Sequence, residues 1–137
     1  MRAGEAIRAA MLDAFTNDSG VQSVFGAPAR IYNERPAGAG YPNATIATVR
    51  ASPADVSGVD AEDFRIDVET LSKMDGVKEA QACVAKLIDA VQAAPPTPVG
   101  WDLVLFHPVY ADVFRTKDTR MFRGVIRFRA VLDRPDA

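Results

Sequence analysis

His107 is the only histidine of this chain and Cys83 its only cysteine, so any nucleophilic or general-base chemistry of the Cys–His kind must be built on those two side chains. Such a pair works when the imidazole lies within hydrogen-bond reach of the thiol and takes its proton. Pro108 follows His107 and an apolar run precedes it, which is the setting of a histidine at a strand end. Cys83 falls on the flank of an apolar helical stripe, where a thiol behaves as a small hydrophobe. Packing is the simpler assignment for both. No catalytic residue, cofactor site or metal site is expected, and the chain reads as something other than an enzyme.

Two further groupings invite a ligand and fail on spacing. Asp55, Asp60, Glu62 and Asp63 could offer oxygen atoms to a hard cation, yet their intervals match no metal-binding loop and they read as a solvated acidic loop. Gly38 and Gly40 suggest a phosphate-cradling loop, but Tyr41, Pro42 and a strand follow them. A phosphate loop needs the N-terminus of a helix at that point.

Arg123, Arg127 and Arg129 alternate along the last strand and project from one side of it, so they could touch phosphates. Asp67 and Glu69 form a matching acidic row on another strand. Opposite charges across a sheet contribute a few tenths to about 1 kcal/mol per pair, so an ion-pair ladder or a subunit contact is the expected use, ahead of a small DNA-binding module.

The elements that would carry these residues follow from periodicity. Ala3, Ile7, Ala10, Met11, Ala14 and Phe15 recur at helical spacing until the cluster Thr16 to Gly20 breaks the pattern. Val21, Val24 and Phe25 allow one more helical turn, with Gly26 placed to end it and Pro28 beyond. A short strand is expected at Arg30 to Asn33, then a stiff loop holding Pro36, Gly38, Gly40 and Pro42, then a strand over Thr45 to Arg50. Ser52 to Asp60 reads as a polar excursion.

Phe64, Ile66 and Val68 alternate with Arg65, Asp67 and Glu69 in the period of a half-buried strand over Asp63 to Leu71. Gly76 and Val77 open the main helix, whose stripe runs Val77, Ala80, Val84, Leu87, Ile88 and Val91 until Pro95 and Pro96 stop it. Trp101 to His107 resumes strand character with both faces reading as buried. Val109 to Arg115 either continues that strand or bends away, Thr116 to Arg120 forms a charged turn, and Phe122 to Leu132 is the last strand. This order predicts α+β: a single domain over residues 1–137 with two main helices packed on one face of a mostly antiparallel sheet.

Size and charge agree with that reading. The chain has 137 residues, 48% of them hydrophobic and 25% charged, and a formal net charge of −2. Those proportions suit an ordinary globular core, and a net negative charge gives no general attraction to nucleic acid or an anionic membrane. The charged residues Arg2, Glu5, Arg8 and Asp13 interrupt the N-terminal apolar stretch, so no export signal is expected. No run of 18 apolar residues offers a membrane span.

Arg30, Ile31, Tyr32 and Asn33, followed by Pro36, Tyr41 and Pro42, resemble the opening of small tail-completion proteins of siphophages and gene transfer agents. The likeness continues through the strand at Phe64 to Val68, a helix opened by Gly76, Glu79 and Ala80, and a glycine-containing final strand, Arg123 to Arg129 with Gly124. It spans nearly the whole chain in order and spacing. The resemblance implies an α+β subunit similar to lambda-like tail terminators. These form hexameric rings that cap the tail tube and dock on the head connector, and no catalytic residues transfer with the likeness.

Its implied partners are further copies of the chain, the tail tube protein, and a stopper or adaptor of the head connector, with DNA passing through the lumen without specific binding. Assembly would take place in the bacterial cytoplasm and the finished subunit would sit at the head–tail junction of the particle. A head-side stopper or adaptor is the alternative. Partner contacts are expected on the Ser52 to Asp60 loop, with Asp55 and Asp60, and on the Asp112 to Arg120 segment, with Asp112, Arg115, Lys117, Asp118 and Arg120. Tyr32, Arg35 and Tyr41 are further interface candidates because aromatics and arginine are enriched at interfaces, as are Arg123, Arg127 and Arg129.

Overall fold

The computed structural model describes residues 1–52, 61–73, 77–117 and 120–135. The elements run α1 (Ala3–Thr16), α2 (Ser19–Phe25), β1 (Ile31–Tyr32), β2 (Asn43–Ser52), β3 (Ala61–Lys73), α3 (Val77–Ala93), β4 (Asp102–Arg115) and β5 (Met121–Asp133). The five strands form one sheet in the order β1-β2-β3-β5-β4. Only β1–β2 is parallel; β2–β3, β3–β5 and β5–β4 are antiparallel. This is the expected α+β arrangement, with the helices gathered on one face.

The core lies between that face and the helices. Phe64, Ile66 and Val68 of β3 and Ile126, Phe128 and Ala130 of β5 are buried against Ile7, Met11 and Phe15 of α1 and Cys83, Leu87 and Val91 of α3. Period two on the strands and period 3.6 on the helices bring the two apolar surfaces together. The Phe128 ring stacks on Phe106 with centroids 5.1 Å apart and meets Phe15 at 6.5 Å. Each fully buried side chain of this size contributes about 1.5–3 kcal/mol.

Local chemistry sets the element ends. Asp18 caps α2, its carboxylate accepting from the Val21 N–H at 2.9 Å. Gly26 ends that helix at φ 92°, a left-handed value that favours glycine. In β5, Gly124 sits where α3 and β3 close in: an added Cβ would lie 2.7 Å from Val84 Cγ2 and overlap the Thr70 hydroxyl.

Several expectations need correction. Trp101–His107 is not a strand buried on both faces. Its residues from Asp102 on begin β4, an edge strand, and Val104 is 64% exposed. A register shift between Leu103 and Leu105 turns Leu103 and Phe106 toward the core and leaves Val104 outside. The strand does not bend away at Pro108; it runs on to Arg115 with a second shift between Pro108 and Tyr110, so Asp112 and Arg115 are strand residues and not part of the turn. Val77 begins α3 but is exposed, because the buried stripe of that helix starts at Ala80. Asp63 belongs to β3 and is only 7% exposed, so it is no member of a solvated acidic loop. Gly76, most of the Ser52–Asp60 excursion and Asp118 lie outside the described residues.

Candidate functional site

The face of the sheet that the helices leave open carries the charged alternates of β3 and β5. Asp67 and Arg127 are register partners, and their side chains meet in a two-point contact, Arg127 Nε to Asp67 Oδ1 at 2.7 Å and Nη2 to Oδ2 at 3.1 Å. Asp63 accepts from two guanidiniums at once, Arg65 Nη1 at 2.7 Å and Arg129 Nη2 at 2.9 Å. Glu69 meets Arg123 more loosely at 3.5 Å, since its direct register partner is Val125. The expected ladder therefore exists, and it extends one rung further than expected, through Asp63.

The electrostatics follow the contacts. The Arg129 guanidinium holds the Asp63 carboxyl below its ordinary value, against the upward push of burial and with help from Arg65. Arg127 does the same for Asp67. Ionised carboxylates are favoured by such charge-assisted bonds. The arginines that could have touched phosphates are thus engaged by carboxylates within their own sheet, the use expected ahead of DNA contact.

Beside the ladder, on β4, Tyr110 stands opposite Arg127, Asp112 opposite Val125 and Phe114 opposite Arg123. Tyr110 is 55% and Phe114 43% exposed. The Tyr110 hydroxyl donates to Asp112 Oδ2 at 3.2 Å, and the negative charge of Asp112 raises the tyrosine's pKa. Arg115 leans its guanidinium over the Phe122 ring at 5.6 Å. Exposed Lys117 and Arg120 flank the turn that follows, Arg120 with φ 53°.

The remaining candidates sit elsewhere. Half-buried Tyr32 and exposed Arg35 lie on β1 and just after it, at the opposite edge of the sheet from β4. Half-buried Tyr41 precedes β2 at the sheet end shared with the β4–β5 turn, with the Lys73 ammonium 5.5 Å over its ring. Arg30, absent from the predicted set, fixes this loop by donating to the carbonyls of Pro42 at 2.9 Å and Tyr41 at 3.3 Å. Its sequence signals are its place at the start of the expected short strand and in the resemblance motif, and neither points to the loop it holds. Asp55, Asp60 and Asp118 lie outside the described residues; the residues flanking the first two, Ser52 and Ala61, are at the other end of the sheet from the β4–β5 turn.

A Cys83–His107 pair is excluded by placement. Cys83 is buried on the helix side, where desolvation pushes its thiol up to about 12, while exposed His107 stands opposite Arg129 on the open face. A groove of about 470 Å³ along α1 is lined by residues such as Ala9, Ala10, Leu12 and Val99, with Asp13 the one charged side chain among its lining residues. Among the described residues no cluster of three or more His, Cys, Asp or Glu side chains could hold a metal ion. No described helix is long and apolar enough to cross a membrane.

Comparison with known proteins adds the family. No curated protein sequence matches the chain. Solved structures share its fold, among them the following two. A chain from the virion of a native gene transfer agent particle superposes with a TM-score of 0.83 at 19% identity, covering 94% of this chain and 96% of that one. The gp17 protein of bacteriophage SPP1 gives 0.68 at 17% identity, covering 98% and 94%. The family described as tail completion protein gp17 matches residues 9–133. A match over that much of the sequence, on a fold shared with both structures, makes this chain a member of the tail completion protein gp17 family.

Proposed function

We propose that this protein is a structural subunit of a phage-like particle, one copy of a ring that terminates the tail tube and joins it to the head connector. The family match over residues 9–133 carries this reading, and likeness to a chain of a gene transfer agent virion supports it. The mechanism is selective affinity and not bond chemistry. One face of the ring complements the last tube ring and stops further addition, and the other offers a new surface to the head.

The arrangement of the sheet suits that role. Unlike edges, a two-residue β1 and a fourteen-residue β4, allow head-to-tail association, which closes into a ring when the rotation permits. The two sheet ends carry different residues, the candidates Tyr41, Lys117 and Arg120 at one and Ser52 and Ala61 at the other, so the tube protein and the head protein would each meet a distinct set. Arginines already paired with Asp63, Asp67 and Glu69 are poorly placed to grip passing DNA. A hexamer is the expected stoichiometry, assembled in the cytoplasm and retained in the particle.

Native mass spectrometry with negative-stain imaging tests the ring. A strict monomer at high concentration that also leaves purified tail tubes uncapped overturns it. Deleting the gene separates the two positions in the particle: overlong tails are expected for a terminator, whereas normal tails with DNA-leaking heads assign the chain to the head side.

A further inference from the structure

The outer edge of β2 is only partly used. β1 pairs with Ala44 and Thr45 alone, which leaves Thr48–Ser52 paired with β3 on one side and, among the described residues, with no strand on the other. At the opposite edge of the sheet, β4 has β5 on one side and, among the described residues, no strand beyond it. Its first half is irregular, with register shifts at Leu103/Leu105 and Pro108/Tyr110; from Tyr110 onward the pairing is regular. Each edge thus offers a regular segment of at least five residues with no strand partner among the described residues, Thr48–Ser52 and, within Tyr110–Arg115, Tyr110–Phe114, where the Val113 N–H donates to the Asp112 carboxylate of its own strand at 2.9 Å.

Strand direction permits the two to meet. β2, β3, β5 and β4 alternate in direction across the sheet, so β4 runs opposite to β2. A second copy turned about an axis along the strands keeps its helices on the same side and presents its β2 antiparallel to β4 of the first.

Side-chain faces then restrict the register. A slip of one residue would exchange the two faces of an added strand. On the open face lie Tyr110, Asp112 and Phe114 of β4 and Thr48, Arg50 and Ser52 of β2; on the helix face lie Ala111 and Val113 against Val49 and Ala51. Full overlap of the two segments places Asp112 opposite Arg50 and Val113 opposite Val49. Both Asp112 and Arg50 are exposed, and neither forms a salt bridge within the described chain. Val49 and Val113 are half-buried hydrophobics resting on the rim of the core, so their pairing would continue the core across the seam. The exposed Tyr110 and Phe114 would cover the charge pair on either side. Twofold pairing of two β4 strands is disfavoured, because full overlap of Tyr110–Phe114 with itself opposes Asp112 to Asp112, and like charges directly opposite are destabilising.

We infer that Tyr110–Phe114 of one copy adds antiparallel to Thr48–Ser52 of the next, with Asp112 against Arg50 and Val113 against Val49, so that the sheet runs on from subunit to subunit. This rests on the ring reading above and specifies the seam between neighbours.

Cysteines placed at both ends of that contact test it in the full-length protein. Opposite residues of an antiparallel pair lie within disulfide reach, whereas Arg50 and Asp112 of one chain occupy opposite edges of its sheet. The double variant Arg50→Cys/Asp112→Cys, oxidised at high concentration and on purified tail tubes, should give a ladder of cross-linked oligomers on a non-reducing gel. Either single variant should give none, since Cys83 is buried. Charge reversal by Asp112→Arg should weaken assembly roughly tenfold or more, with recovery when Arg50→Asp is added. Rings seen by native mass spectrometry without a ladder overturn this seam and leave the ring reading standing. A dimer from Asp112→Cys alone overturns it in favour of β4–β4 pairing. Absence of assembly in wild-type protein under both conditions removes the ring reading and the seam together.

Discussion

Arg65 and Arg129 stand directly opposite each other on β3 and β5, two like charges at register positions, and the single carboxylate of Asp63 binds both guanidiniums. Asp63 reaches them from a neighbouring rung and is itself largely buried by doing so.

Removing that carboxylate should cost more than an ordinary surface pair. Asp63→Asn leaves two opposed guanidiniums with no anion between them and is expected to lower unfolding free energy by about 1–2 kcal/mol. Urea denaturation measures it. Adding Arg65→Met should restore part of the loss, and a double-mutant cycle showing no coupling between the two positions would contradict this account.

Acid should weaken the fold through the same carboxyls. Asp63 and Asp67 titrate below the ordinary carboxylate value of 3.8 in the folded chain, so over that interval the unfolded chain binds more protons and stability rises with pH. Their contribution is complete above that ordinary value and lost as pH falls through the lower folded values. Because the partner arginines are more than a third exposed, each pair is worth about 1 kcal/mol or less. Thermal melts of wild type and Asp67→Asn should differ at pH 6 and converge as pH falls through the lowered folded value of Asp67.

Gly124→Ala tests the closest approach between α3 and the sheet. The new methyl would press on Val84 and Thr70, and overpacking of this kind typically costs about 1–3 kcal/mol. Val84→Ala should recover part of it in chemical denaturation, while a neutral Gly124→Ala would mean that α3 lifts freely off β5.

Cys83 should be silent toward thiol reagents in the folded protein. With its thiol pushed up to about 12 and no exposure, it lacks both thiolate and access. Labelling by a disulfide reagent at pH 8 should proceed at the rate of unfolding and become immediate in urea. Fast labelling of folded protein would place the residue outside the core.

Elements whose pattern comes from contact with one core were legible in the sequence. The alternation Phe64, Ile66, Val68 and the stripe Ala80, Val84, Leu87, Val91 each report a single buried surface, and both lie where expected. The ladder was readable for the same reason, since Asp67, Glu69, Arg123 and Arg127 keep strict period two. Strand β4 was not. Leu103 to Phe106 are four apolar residues in a row and read as a strand buried on both faces, but the register shift at Val104 leaves that residue outside while Leu103 and Phe106 face the core, and whether a strand lies at an edge depends on sheet order. Asp63 was rightly expected at the start of its strand, but its burial and pairing were missed because its acidic neighbours Asp60 and Glu62 suggest a solvated loop, while its partners Arg65 and Arg129 lie on two strands. The interface candidates Tyr32 and Tyr41 fall at the edge and the end of the sheet, a grouping that linear spacing does not encode.

The irregular first half of β4 also bears on how the free chain survives in solution. A long, flat, apolar edge is a template on which misfolded strands stack. Two interruptions in the ladder and Pro108, which has no N–H to offer, break that template where Val104 and Val109 are most exposed. The hydrophobic residues there can stay on the surface without recruiting unfolded neighbours, which protects the chain from fibrous aggregation at the concentrations particle assembly demands.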